Sequence, residues 1–398
     1  MRRLDVLVVG GGPAGLVAAW EAALQAPGAA VTVLERDPAI GAPVRCAEGV
    51  GEAGLREFLD PDGADWVSRR ITKVIFVAPD DIEVRVADGD VGCILDRTRF
   101  EPALAERAAG AGAGIVTGAE LTGLAREGTG WRAAVRSERG EESWQARIVI
   151  GADGVESMVG RWAGIDTRVA ARDMESAAQY LMTGVDCDPD AIYLQFSRRW
   201  APGGYAWVFP KGEGVANVGL GIKSLVADGR TALGYLDAWV AHRFPRAVAT
   251  GRTVGGVITA VTARRTVADG VLLAGDAAHM INPLSGAGIV SGMKAGRLAG
   301  RHAARALREN DTSAAALQPY HDEWMALLGR DHVWYYRMND AIHDAGDAFL
   351  DELARVTNAI PDGKRTLRRV FAHALVRHPS LIPVAARFFS PSRRSGPF

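Results

Sequence analysis

The stretch that decides the fold is LDVLVVGGGPAG, residues 4–15. Its first six residues are short, apolar and rich in Val, the pattern of a strand buried on both faces of a parallel sheet. Three glycines follow at once. Pro13 then stands near the first turn of a helix, where its missing N–H costs nothing. The helix runs on through AGLVAAWEAALQ, and VTVLE, residues 31–35, reads as a second strand ending in an acid. The first 35 residues therefore form a βαβ unit with a right-handed crossover.

Gly10, Gly12 and Gly15 make a GxGxxG pattern between that strand and that helix. Gly10 permits a tight turn, Gly12 lets the backbone approach a pyrophosphate, and Gly15 lets helix and strand pack closely. The helix N-terminus favours the phosphate charge. Glu35 stands near the offset of ~20 residues expected of an acid that binds a ribose hydroxyl. Its charge would repel a 2′-phosphate, so NADP is not expected here. Strand, glycines, Pro13 and Glu35 agree on a dinucleotide.

A second signal is LLAGDAAHMINPLSGAGIVSG, residues 272–292. A buried strand ends at Gly275-Asp276, and a Gly-rich turn opens a helix. Asp276 can accept from a ribityl hydroxyl, and the helix N-terminus can face a flavin pyrimidine edge. GAGAG, residues 110–114, precedes a strand and reads as a helix stop. No second strand–GxGxxG–helix occurs, so no separate nicotinamide domain is encoded. His279 reads equally well as a turn or core residue.

Composition excludes several classes. Of 398 residues, 48% are hydrophobic and 23% charged, and 46 basic residues balance 47 acidic ones. That describes a globular chain with no global pull toward nucleic acid. Three cysteines without a CxxC argue against a disulfide scaffold, an iron–sulfur cluster or a zinc site, and suit a reducing cytosol. No metal spacing occurs among the histidines. No stretch of 18 uninterrupted apolar residues exists, so no transmembrane helix is expected, and the N-terminal apolar run reads as a strand rather than a leader.

Along the chain, KVIFVA, IEVRVA and VGCILD within 71–96 read as antiparallel strands, as do DAIYLQF, GGYAWVFP and VANVGLGI within 175–262. An amphipathic helix is expected near 230–243, a long helix to about 309, and mostly helix after 311. The fold class is α/β mixed with α+β. A Rossmann-like cofactor domain (1–70, 95–174, 263–310) is interleaved with an antiparallel-sheet substrate domain (71–94, 175–262), and 311–398 form a helical C-terminal region. Residues 364–398 hold eight Lys/Arg and no Asp/Glu.

GGGPAG, the Arg-led helix after Asp96, GADG (151–154) and GDAAH with its following Pro and glycines resemble flavoproteins of the p-hydroxybenzoate hydroxylase-like fold, which implies FAD. Two further motifs narrow this. PVRCAEGV (43–50) and GGYAWVFP (203–210) resemble the geranylgeranyl reductase family, and HPSLIP (378–383) resembles its archaeal-type members. The resemblance runs along the whole chain. It implies that Cys46, Ala47 and Gly49 lie beside the flavin, and that Arg97, with Arg99 a close rival, contacts the ribityl or phosphate. Ala14, Gly288 and Ile289 give backbone contacts to FAD. Tyr205, Trp207, Phe209 and Pro210 border the substrate cavity, and alternation puts Tyr205, Trp207 and Phe209 on one strand face. An apolar polyprenyl chain needs such an aromatic tunnel.

The activity implied is saturation of polyprenyl C=C bonds by hydride from reduced flavin plus a proton, with Cys46 the candidate for proton delivery or flavin-site tuning. The head group is open between a diphosphate, a glycerophospholipid and a menaquinone. The electron donor is open between ferredoxin, a flavin reductase and NAD(P)H. The basic C-terminus suits either a solvated helix pair or peripheral contact with the inner face of a membrane. A flavin-dependent aromatic monooxygenase or halogenase, or a non-catalytic prenyl-lipid carrier, are the rival readings.

Overall fold

A computed structural model describes residues 2–86 and 92–360. The basic stretch 364–398 and the HPSLIP motif lie outside the described residues. The chain divides into two compact units, each assembled from three segments.

The first unit comprises residues 1–44, 97–169 and 260–333. Its sheet has eight strands, and the central path runs 267–268, 271–273, 140–151, 2–9, 31–34, 114–116. Strand Arg2–Val9 pairs in parallel with Gly140–Gly151 on one side and Val31–Leu34 on the other. Val6, Leu7 and Val8 have no exposed surface, as the apolar run requires. A hairpin, Ala119–Glu127 and Gly130–Ser137, hangs from the long strand. The glycine turn leads into helix Pro13–Gln25, which packs along helix Ile289–Glu309. Small residues set that approach: a Cβ on Gly296 would stand 2.1 Å from the Ala14 carbonyl oxygen, and one on Gly300 2.4 Å from that of Ala18.

The second unit comprises residues 45–96, 170–259 and 334–398. Its seven-stranded sheet runs 248–258, 174–183, 215–223, 206–212, 191–195, 73–77, 83–86. The segments expected to be antiparallel are mostly so. Strand Lys73–Val77 is the exception: it is antiparallel to Glu83–Val86 but parallel to Ala191–Gln195. The chain leaves the sheet at its 83–86 edge, returns through strand 174–183 near the opposite edge, and only then lays 191–195 along the inner side of 73–77, running the same way. VGCILD does not join this sheet. Gly92–Leu95 pairs instead with Gly49–Val50 and Val67–Ile71 in a small three-stranded sheet. Segment 45–70 therefore lies with the sheet unit, where the sequence reading gave it to the cofactor domain, and 311–333 lie with the first unit.

One face of the large sheet buries Ala178, Met182, Val208, Val218 and Leu220 against helix Ala232–Arg243, through Tyr235, Leu236 and Trp239. Thr231 caps that helix by accepting from the Gly234 N–H at 3.2 Å. Alternation along the strands then leaves the other face to a different set of side chains.

Candidate functional site

The first unit assembles most of the cofactor residues expected from sequence. Gly10 has φ of 107°. A Cβ there would stand 2.2 Å from the Ala152 carbonyl oxygen, and a Cβ on Gly15 would stand 2.0 Å from that of Gly10. Gly12 has nothing within 4 Å of a Cβ position, so its backbone faces open space where the helix begins. The Glu35 carboxylate accepts from the Gly11 N–H at 2.6 Å and from the Asp37 N–H at 2.8 Å, which fixes it at the mouth of the turn.

The second glycine motif folds against the first. A Cβ on Gly275, whose φ is 67°, would stand 3.0 Å from the Ala14 Cβ, and one on Gly288 would stand 3.4 Å from Asp276 Oδ1. Ile289 begins the helix that follows. Burial pushes the Asp276 carboxyl up, and the Arg97 guanidinium draws it back down. No described residue donates to that carboxylate. Arg97 itself is held by Glu101 one turn along its own helix, with Nε 2.7 Å from Oε1. In GADG, Asp153 Oδ2 accepts from the Met158 and Val159 N–H groups, and its Oδ1 is buried with no partner. His279 takes a left-handed turn conformation, and its ring lies 3.2 Å from the Thr167 carbonyl.

A cradle that a Cβ would fill, a helix N-terminus beside it, and two carboxylates placed to accept hydroxyls fit a flavin dinucleotide. FAD, when bound, supplies two-electron redox chemistry that these side chains lack.

The second unit carries an aromatic face. Tyr205, Trp207 and Phe209 are half-buried and alternate with buried Ala206, Val208 and Pro210. Phe76 and Phe196 extend the row. Successive ring centroids along Phe76, Phe196, Tyr205, Trp207 and Phe209 are 6.3, 5.6, 6.0 and 6.5 Å apart. Ile71, Val74, Ile94, Ile192 and Leu194 back them. A Cβ on Gly219 would meet the Trp207 ring at 2.4 Å, so only glycine leaves room for that indole.

The loop Cys46–Gly49 is tied to this same unit. Gln179 Nε2 donates to the Cys46 carbonyl at 2.9 Å, and Asn217 Nδ2 donates to the Ala47 carbonyl at 3.1 Å and to Glu48 Oε2 at 2.9 Å. Lys211 closes an ion pair on the same Glu48 oxygen and donates to the Leu95 carbonyl at 3.0 Å. Glu48 is only 3% exposed and sits at φ 69°. Its own N–H points at Cys46 Sγ, 3.2 Å away. A Cβ on Gly49 would stand 2.7 Å from the Phe209 ring. Cys46, Ala47, Gly49, Tyr205, Trp207 and Phe209 are thus brought together, whereas Pro210, expected beside them, alternates to the opposite, buried side of its strand with Ala206 and Val208. Phe76, Phe196, Gln179, Lys211, Asn217 and Glu48 were missed. The available signal was a polar residue at an inward position of an apolar strand, as Asn217 in VANVGLGI.

Among the described residues no cluster could hold a metal ion, and no helix is long and apolar enough to cross a membrane.

Comparison with known proteins fits this geometry. A family model described as geranylgeranyl reductase catalytic domain matches residues 173–261, which contain most of the aromatic sheet. A second, described as FAD binding domain, matches residues 3–203 and 246–328. The digeranylgeranylglycerophospholipid reductase of Methanocella arvoryzae is 37% identical over 95% of this chain and 97% of its own length. The protein of the same name from Methanospirillum hungatei is 39% identical over 90% of each chain. The solved structure of a geranylgeranyl bacteriochlorophyll reductase-like protein from Thermoplasma acidophilum superposes with a TM-score of 0.89, at 30% identity, covering 96% of this chain and all of its own. With the glycine cradle, the carboxylates and the aromatic face in place, the chain belongs to the geranylgeranyl reductase family of FAD-dependent oxidoreductases, which saturate C=C bonds.

Proposed function

We propose that this enzyme saturates geranylgeranyl chains carried on a glycerophospholipid. The observation that carries the reading is the row of five half-buried rings backed by aliphatic side chains. An isoprenoid chain offers no charge, so it is recognised by apolar area and ring faces over a length of several residues. The relatives named for digeranylgeranylglycerophospholipid supply the head group. In this reading Tyr205, Trp207 and Phe209 border the chain, with Pro210 behind them on the same strand, and Cys46, Ala47 and Gly49 face the cofactor ring. Gly10, Gly12, Ala14, Gly15, Glu35, Arg97, Asp276, Gly288 and Ile289 hold the FAD. Gln179, Asn217 and Lys211 keep the loop from drifting, because an ångström of error in an approach geometry costs about 100-fold in rate.

An external donor (ferredoxin, a flavin reductase or NAD(P)H) recharges the cofactor. The basic stretch 364–398 meets an anionic membrane from which the lipid is drawn. The head group is tested by giving the dithionite-reduced holoenzyme digeranylgeranylglycerophospholipid, geranylgeranyl diphosphate or menaquinone at equal concentration. The phospholipid is expected to gain two hydrogens per saturated bond fastest. A clear preference for the diphosphate or the quinone removes the phospholipid assignment.

A further inference from the structure

An isolated alkene has no carbonyl to absorb the charge of an arriving hydride, so a proton must reach the second carbon in the same event. Among the residues assigned so far one is a candidate, the Cys46 thiol. A stronger one lies on the same sheet face. Glu175 is on strand Met174–Thr183, four residues before Gln179, and period-two alternation points both to one side. Two glycines confirm the side. A Cβ on Gly219 would touch both the Trp207 ring and, at 2.7 Å, the Gln179 Cβ. A Cβ two residues on, at Gly221, would stand 2.8 Å from Glu175 Oε2, and one at Gly204 would stand 3.2 Å from it. The carboxyl thus occupies a slot that exists only because Gly204 and Gly221 lack side chains, next to Tyr205 in the aromatic row.

We propose that Glu175 is the proton source for saturation of the substrate double bond. The inference rests on the functional reading above. The carboxyl O–H bond breaks as a C–H bond forms on one alkene carbon. The other carbon takes the hydride equivalent that the reduced cofactor supplies, and the Glu175 carboxylate is reprotonated from solvent. This touches the reacting atoms, so Glu175 is assigned as a catalytic residue.

Its surroundings favour the neutral acid. Glu175 is 7% exposed, and no described residue donates a hydrogen bond to it. Its cross-strand neighbour Lys223 stands instead 3.6 Å from Asp340. The titratable groups that face it are Tyr205, at the start of the next strand but one, and Lys223. Cys46 acts on the same Tyr205 hydroxyl from the loop, and His343 lies beyond Lys223. Burial pushes the Glu175 carboxyl up to about 7, against the weaker opposing pull of Lys223. Burial, Glu175 and Cys46 push the Tyr205 hydroxyl up, so the phenol stays un-ionised.

The test uses FAD-loaded protein and Glu175→Gln, with Glu175→Asp as the conservative partner. Glu175→Gln is expected to keep its flavin content and its reduction by dithionite, while single-turnover flavin reoxidation by polyprenyl lipid slows about 100-fold or more. Glu175→Asp recovers part of the rate. Wild-type turnover falls as pH rises through about 7, because the acid must be protonated. Independently of turnover, the infrared difference between wild type and Glu175→Gln shows a neutral-carboxyl C=O band at pH 6 that fades as pH rises through about 7. If Glu175→Gln does not fold, the difference is taken against Glu175→Asp, whose carboxyl band shifts, and it decides together with the wild-type pH profile. A wild-type rate in Glu175→Gln, or no neutral-carboxyl band at pH 6, overturns the proposal. If wild type itself leaves every polyprenyl lipid unsaturated, the functional reading is what fails, and the proton source falls with it.

Discussion

Gln179 donates through Nε2 to the main-chain carbonyl of Cys46 at 2.9 Å. That single bond ties the loop of the PVRCAEGV motif to a strand more than a hundred residues away. Replacing Gln179 by Ala removes the donor without touching the thiol. The expected result is a 10- to 100-fold fall in kcat/KM with flavin content unchanged, the size set by how far the loop drifts. Faster alkylation of Cys46 by iodoacetamide in the variant would report the loosened loop directly.

Lys211 and Glu48 form a buried pair, with side-chain exposures of 18% and 4%. Removing the cation takes the ammonium partner away from the buried Glu48 carboxylate. Lys211→Met is therefore expected to cost about 3–5 kcal/mol, read as a lowered urea midpoint. The pair Asp166–Arg168 is the control. It is well exposed, and Arg168→Ala is expected to leave the midpoint where it was.

Two glycines separate cofactor binding from substrate binding. At Gly15 an added methyl meets the Gly10 carbonyl at 2.0 Å, inside the dinucleotide turn. Gly15→Ala should purify with little or no FAD, measured by flavin absorbance against protein. At Gly219 the methyl meets the Trp207 ring at 2.4 Å and the Ala178 carbonyl at 2.7 Å. Gly219→Ala should keep its flavin, lose about 1–3 kcal/mol of stability, and raise KM for the lipid as the indole is displaced.

Acid should weaken the fold through buried histidines. Burial holds His332 and His343 at about 4, well below the ordinary imidazole value of 6.5. Above pH 6.5 these rings are neutral folded and unfolded, and they contribute no pH dependence. Between 6.5 and 4 only the unfolded chain takes up the protons, so stability falls as pH falls. Below 4 both states are protonated and this loss levels off. His332 is 2% exposed and stacks edge-on against Trp324 at 5.6 Å. His332→Phe should therefore flatten the thermal midpoint between pH 6.5 and 4 by an amount equivalent to a few kcal/mol.

Much of this was legible in the chain. The GxGxxG turn, Glu35 and Asp276 are local patterns, because a glycine cradle and the strand that feeds it are contiguous in sequence. YAWVFP announced its own alternation in the same way. What could not be read was registry. Gln179, Lys211 and Asn217 are single polar residues on three strands, and only the pairing of Gln179 with Gly219, and of Phe209 with Asn217, sets them around one loop. Glu175 was hidden for the same reason, since its slot is made by glycines at 204 and 221. The partition of segment 45–70 was misjudged because its short strands complete a sheet with residues 92–95, a pairing that no local pattern encodes.

The central claim is that reduced FAD on this chain gives its electrons to an isolated polyprenyl C=C bond. Anaerobic protein, reduced by one equivalent of dithionite, is mixed with geranylgeranyl lipid while flavin absorbance and lipid mass are followed together. The account expects the oxidised flavin spectrum to return in step with a gain of two hydrogens by the lipid, one bond per flavin. A flavin that stays reduced beside an unchanged lipid, and reoxidises only when oxygen and a phenol are admitted, contradicts it.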